Sequence, residues 1–109
     1  MSDLDVFLAD CPARTTLGLI GDTWSVVVIM ALGERPRRYG ELLERIGGIS
    51  KKMLTQTLRR LERNGLVERE ARVYALTDLG ASLLPVVGAL ARWAEEHTDA
   101  LLETQASAA

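Results

Sequence analysis

A mainly α-helical α+β architecture with one small β-hairpin follows from three features of this 109-residue chain. Apolar residues recur at helical spacing through most of its length. Gly, Pro and capping residues interrupt those stretches at short intervals, and two short extended runs stand side by side in residues 66–76. With 48% apolar and 26% charged residues, the length suits one small soluble domain over 1–109, with a core that gains from a partner subunit and no room for a second domain.

Each element can be justified in order. Asp10-Cys11-Pro12 reads as a helix start with Pro in the first turn, and the helix, about 11–20, runs through Leu17 and Ile20 to a stop at Gly21. Asp22 or Thr23 caps a second helix from Trp24 to Leu32, stopped by Gly33. Pro36 makes Arg35–Gly40 an extended connector, because the ring disfavours helix in the residue before it. A short helix from Glu41 to Ile46 ends at Gly47-Gly48. Ser50 then caps a helix ending at Asn64-Gly65, with Leu54, Leu58 and Leu61 on one stripe and Lys51, Lys52, Thr55, Gln56, Arg59 and Arg63 opposite. Leu66–Glu70 and Val73–Leu76 form the hairpin, whose Ala71-Arg72 link lacks the Gly or Asn of a tight turn, so a looser turn is expected. Thr77 caps a last helix, about 78–103, with Leu79, Leu83, Val86, Val87, Leu90, Trp93 and Ala94 on one broad side and a kink at Pro85; the tail from Gln105 reads as frayed.

Composition excludes several functions. The longest apolar run, Val26 to Leu32, is seven residues, far short of the ~18 a membrane span needs. The acidic start Met1–Asp5 is unlike a signal peptide, so a cytoplasmic protein is expected. Cys11 has no second cysteine within the chain to pair with, and Cys11 plus His97 cannot supply a zinc site, so neither metal nor cofactor is expected. Neither a phosphate loop nor a nucleophile elbow is present, and the chain does not read as an enzyme.

Charge is informative only when partitioned. The net charge is −2, yet residues 35–72 hold eleven Lys and Arg against five Glu, a local +6 between acidic ends that carry −8. A basic block is often just a solvated face, and the element order gives it another meaning. Helix, turn, second helix with a polar outer face, then hairpin is the order of a winged helix-turn-helix. Lys and Arg suit phosphates and guanine, Gln56 suits adenine, and Thr55 suits bases or backbone. Arg37, Arg38, Ser50, Lys51, Lys52, Thr55, Gln56, Arg59, Arg63, Arg69 and Arg72 are therefore the candidate DNA-binding residues, on a helix-turn-helix of about 36–65 and a wing of about 66–76.

The chain also resembles the HxlR-type bacterial transcription regulators, winged-helix dimers related in fold to MarR-type proteins. The resemblance rests on Cys11-Pro12, Leu19-Ile20-Gly21-Asp22 with Trp24, Arg38-Tyr39-Gly40-Glu41-Leu42, Ile49–Gln56 with Leu58 and Leu61, Gly65-Leu66-Val67, and Tyr74–Gly80 with Leu83-Leu84-Pro85. It implies that residues 50–64 are the recognition helix and that the first and last helices form a homodimer interface. Two recognition helices would then read a pseudo-palindromic operator. This sequence departs from the family at Thr23, where relatives carry a basic residue, and in its wing, which is shorter and lacks proline.

Cys11 matches the N-terminal cysteine that senses oxidants or electrophiles in several members, so the resemblance makes it a candidate redox sensor. Proximity to a helix N-terminus and to Arg14 would favour the thiolate and Asp10 would oppose it; a small buried residue at a dimer seam is the alternative. Trp24 and Trp93 could wall a pocket for a small-molecule effector, or simply pack in the core, and His97 reads as an exposed helix residue. A winged-helix protein-interaction module with weak or no DNA binding is the alternative function, favoured by the short wing and net negative charge.

Overall fold

The computed structural model describes residues 4–108, so residues 1–3 of the acidic start and Ala109 of the tail lie outside the described residues. Among the described residues six helices and three strands follow in the order α1 (Pro12–Ile20), α2 (Thr23–Glu34), β1 (Arg37–Arg38), α3 (Tyr39–Arg45), α4 (Lys51–Arg63), β2 (Val67–Glu70), β3 (Val73–Leu76), α5 (Asp78–Ala81) and α6 (Leu84–Ala108). The strands form an antiparallel sheet in the order β1-β3-β2. No single helix among the described residues is long and apolar enough to cross a membrane.

Side-chain capping explains the starts of α2, α4 and α5. The Asp22 carboxylate accepts from the Ser25 N–H at 3.0 Å, Ser50 Oγ from the Met53 N–H at 3.0 Å and Thr77 Oγ1 from the Gly80 N–H at 3.0 Å. At the end of α4, Leu66 N–H donates to Leu61 O and Gly65 N–H to Glu62 O, with Gly65 at φ +72, the paired bonds of a Schellman stop. The core lies between α2, α3, α4 and the sheet. It is built on Val28, Ile29, Leu42, Leu54, Leu58 and Leu61, none more than 1% exposed. Truncating any of the buried leucines to Ala would cost about 2–5 kcal/mol.

Several expected boundaries move for identifiable reasons. Helix α2 passes through Gly33 to Glu34, because Gly33 serves packing: a Cβ there would collide with the Leu84 side chain. Helix α3 begins at Tyr39 and ends at Arg45, its start secured by Glu41 accepting from the Arg38 N–H at 2.8 Å. Arg37-Arg38 is extended as expected but pairs with Tyr74 and Val73, adding a third strand to the hairpin. Pro85 breaks the last helix rather than kinking it, since it has no N–H for the carbonyl of Ala81, and the chain turns at Ser82-Leu83 between α5 and α6. The tail is helical through Ala108 rather than frayed from Gln105.

The wing is tight rather than loose. Pairing runs to Glu70 opposite Val73, so only Ala71 and Arg72 form the turn, with Ala71 at φ +57. A positive φ at the first central residue alone is the type II′ pattern, which prefers Gly there and disfavours a Cβ by roughly 1–2 kcal/mol. Ala71→Gly should therefore raise the urea midpoint by the equivalent of about 0.5–1 kcal/mol, after the extra chain entropy of Gly in the unfolded state is subtracted. A lowered midpoint would show that the turn is not strained.

Candidate nucleic-acid interface

Helix α4 places its two faces in different environments. Leu54, Leu58 and Leu61 are buried, whereas Lys51, Lys52, Gln56, Arg59 and Arg63 are exposed and Thr55 is half-buried. Positions 52, 55, 56 and 59 share one side at helical spacing. Ser50 is exposed; its hydroxyl oxygen accepts the cap bond and its proton stays free to donate.

Two polar ties fix this helix to the body. Tyr39 at the start of α3 donates its hydroxyl to Lys51 O at 2.8 Å and lies 3.0 Å from Thr55 Oγ1. Farther along, Arg60 donates to Asp22 Oδ2 at 2.8 Å and to Ser25 Oγ at 2.7 Å, joining the middle of α4 to the cap of α2. Burial acts to raise the Asp22 pKa, but the Ser25 hydrogen bonds and the Arg60 charge outweigh it and hold the carboxyl below its usual value.

Ion pairing divides the basic block into two sets. Arg35 pairs with Glu41 at 3.1 Å, Arg37 with Glu34 at 2.6 Å, Arg45 with Glu34 at 2.7 Å and Arg60 with Asp22 at 2.8 Å. Arg38, Lys51, Lys52, Arg59, Arg63, Arg69 and Arg72 make no salt bridge among the described residues, and all seven are exposed. Lys51, Lys52, Arg59 and Arg63 lie on α4. Arg38, Arg69 and Arg72 line a cleft of about 410 Å³ with Tyr39, Gly40 and Tyr74, between the start of α3 and the wing. There Arg69 sits 5.8 Å from the Tyr74 ring centroid, close enough for a cation–π contact.

Arg37 does not belong with the exposed cations. It is 8% exposed, and its guanidinium donates to Ala31 O at 3.1 Å as well as to Glu34, so it ties β1 to the end of α2 instead of facing a ligand. Its place in the strand register turns it inward, which a run of three basic residues around Pro36 did not reveal. Tyr39, Asp22, Glu34 and Arg60 were missed as supports of the interface because each is defined by a partner distant in sequence. Helical spacing left Arg60 off the polar face that carries Arg59, but it gave no sign of the Asp22 partner.

The two tryptophans lie in different surroundings in the protomer. Trp24 lines a cavity of about 350 Å³ with Val27, Met30 and Ile46, and the Glu34–Arg45 pair also lines it. Trp93 is half-exposed on α6 and stacks on His97 at 4.6 Å between ring centroids, so it is not core either. Cys11 is 5% exposed, at the N-cap of α1. No group of three or more His, Cys, Asp or Glu suited to a metal ion occurs among the described residues.

A helix-turn-helix with a cationic outer face on its second helix, followed by a β-wing, defines a winged-helix DNA-binding protein. The family model described as "HxlR-like helix-turn-helix" matches residues 19–101, and the chain belongs to that family. It is 38% identical over 98 residues to the HTH-type transcriptional regulator YtfH of Escherichia coli K12, covering 84% of this chain and 78% of the relative. The structure of the transcriptional regulator ytfH from Salmonella typhimurium superposes with TM-score 0.82 at 31% identity, covering 94% of this chain and 98% of that one. Quinone-bound YodB from Bacillus subtilis gives TM-score 0.71 at 37% identity, with 79% and 99% covered. The family and these relatives are transcriptional regulators rather than enzymes, and this chain is a transcriptional regulator with a helix-turn-helix domain.

The acidic support of the interface has a pH signature. Hydrogen bonds from Arg45, reinforced by the Arg45 charge and by Arg37, overcome desolvation and hold Glu34 down to about 2 from an ordinary 4.5. A depressed carboxylate stabilises the fold fully above its unfolded pKa and loses that contribution as pH falls, here between about 4.5 and 2. Glu34→Gln should thus flatten the decline of the urea midpoint across that window while lowering the midpoint at pH 7. Parallel wild-type and variant curves would refute the clamp.

Proposed function

We propose that this chain is a single HxlR-type winged-helix domain over 1–109. It acts as a homodimer that binds specific double-stranded DNA with residues 50–64 as recognition helix in the major groove. The observation that carries the reading is the set of seven exposed cations within residues 35–72 that make no salt bridge among the described residues, divided between α4 and the wing cleft. In the proposed complex Ser50, Lys52, Thr55, Gln56 and Arg59 face bases and adjoining phosphates. Lys51, Arg63, Arg38, Arg69 and Arg72 neutralise the backbone. Such a protein works in the bacterial cytoplasm, at the nucleoid.

Exposed apolar residues support the dimer. Leu17 on α1 and Val86, Leu90, Trp93, Leu101 and Leu102 on α6 are all more than 45% exposed in the protomer, a pattern expected of helices that cover one another in a two-fold pair. Two recognition helices would then stand about 34 Å apart on a pseudo-palindromic operator.

Fluorescence anisotropy with DNA flanking this protein's own gene, across about 50–200 mM salt, tests the reading. Specific binding should weaken steeply with salt. Lys52→Ala and Arg59→Ala should weaken it further, with the log–log salt slope falling by about 0.9 for each phosphate that is no longer neutralised. Binding no tighter than to random DNA, or indifferent to both substitutions, would favour the protein-interaction module.

An effector can enter by two routes, Cys11 or the Trp24 cavity. The quinone held by YodB, an electrophile, supports the first. Diamide should change the affinity of the wild type and leave Cys11→Ser unaffected, because Cys11 is the sole cysteine. A wild type indifferent to diamide shifts the assignment to a ligand beside Trp24.

A further inference from the structure

The hydrogen bonds around Tyr39 determine which face Thr55 can show to DNA. A carbonyl oxygen only accepts, so the single hydroxyl proton of Tyr39 goes to Lys51 O, 2.8 Å away. The 3.0 Å contact between Tyr39 Oη and Thr55 Oγ1 then has one consistent direction: Thr55 donates and Tyr39 accepts. The Thr55 proton is thereby committed to the protein, and its side chain is held in one rotamer by a partner on another helix. What remains on the half-exposed side is an acceptor lone pair and the methyl group.

We infer that Thr55 is a specificity-determining residue that reads DNA as an acceptor only, selecting a base with an exocyclic amine, and that Tyr39 is the positioning residue enforcing this polarity. The inference rests on the reading that α4 enters the major groove. In that groove adenine N6 and cytosine N4 are donors, guanine O6 and N7 and thymine O4 are acceptors, and thymine adds a methyl. An acceptor-only threonine matches adenine or cytosine. It cannot donate to guanine or to a phosphate oxygen, and facing guanine it would set acceptor against acceptor. A threonine with a free hydroxyl would accept all of these.

The test uses the full-length protein and the operator it selects from a randomised duplex library. Relative affinities are then measured for all four bases at each position of one half-site. In the wild type, the position whose preference is altered by Thr55→Val should favour adenine or cytosine over guanine by about 5-fold or more. Tyr39→Phe keeps the ring and frees the Thr55 proton, so it should reduce that preference to about 2-fold or less while leaving other positions unchanged. The double variant should discriminate no less than either single one. Thr55→Ser, which keeps the oxygen, should retain the preference and provides a second readout if Tyr39→Phe does not fold. Guanine favoured at this position, a preference unaltered by Tyr39→Phe, or no position altered by Thr55→Val would overturn the inference. If Lys52→Ala and Arg59→Ala also leave selection intact, the placement of α4 in the groove fails as well, which distinguishes the two failures.

Discussion

Burial of α2 is the constraint on which the remaining structure depends. Val28 and Ile29 are fully buried, and the helix packs on α3, α4, β3, α5 and α6. A helix covered on so many sides cannot be amphipathic, which is why residues 26–32 form an unbroken apolar run. That burial fixes the plane on which α4 lies, so the outward direction of its basic face is set by packing beneath it. Both ends of α2 are also polar anchors. Asp22 holds Arg60 at one end, and Glu34 holds Arg37 and Arg45 at the other. The apolar middle supplies most of the stability and the charged ends supply orientation, since partly exposed ion pairs add only about 0–1 kcal/mol each.

Local signals made much of this architecture legible. Ser50, Asp22 and Thr77 cap the helices that their positions predict, because an N-cap depends on residues within one turn. Leu54, Leu58 and Leu61 are the buried stripe of α4 for the same reason. Features that depend on distant partners stayed hidden. Gly33 resembles a helix stop until Leu84 is seen against it, β1 exists only because β3 lies alongside, and Ala71 holds a positive φ only because the strands on both sides enforce pairing.

The surface placement of the candidate interface was legible to a similar degree. Ten of the eleven residues named for DNA binding are exposed or half-exposed, and the exception, Arg37, is turned inward by strand register. Helical spacing separated Arg59 from Arg60 in the sequence, but it could not supply the partner that makes Arg60 a strut, because Asp22 is 38 residues away. Trp24 and Trp93 differ for a related reason: both lie on apolar helical faces, but Trp24 packs against the core while Trp93 is half-exposed on α6.

The separation of the arginines into paired and unpaired sets bears on how such a regulator diverges. Cations that hold the scaffold are tied to named carboxylates, whereas the exposed ones on α4 and the wing make no ion pair among the described residues, and only Arg69 touches a buried side chain, Tyr74. Substitutions on that outer surface leave stability nearly untouched, usually within about 0.5 kcal/mol, so the repertoire of target sequences can drift while the scaffold stays constant. Thr55 is the exception, because its hydroxyl is bound to Tyr39. Under the proposed reading, a change of recognition at Thr55 also involves Tyr39, sixteen positions away on the other helix of the motif.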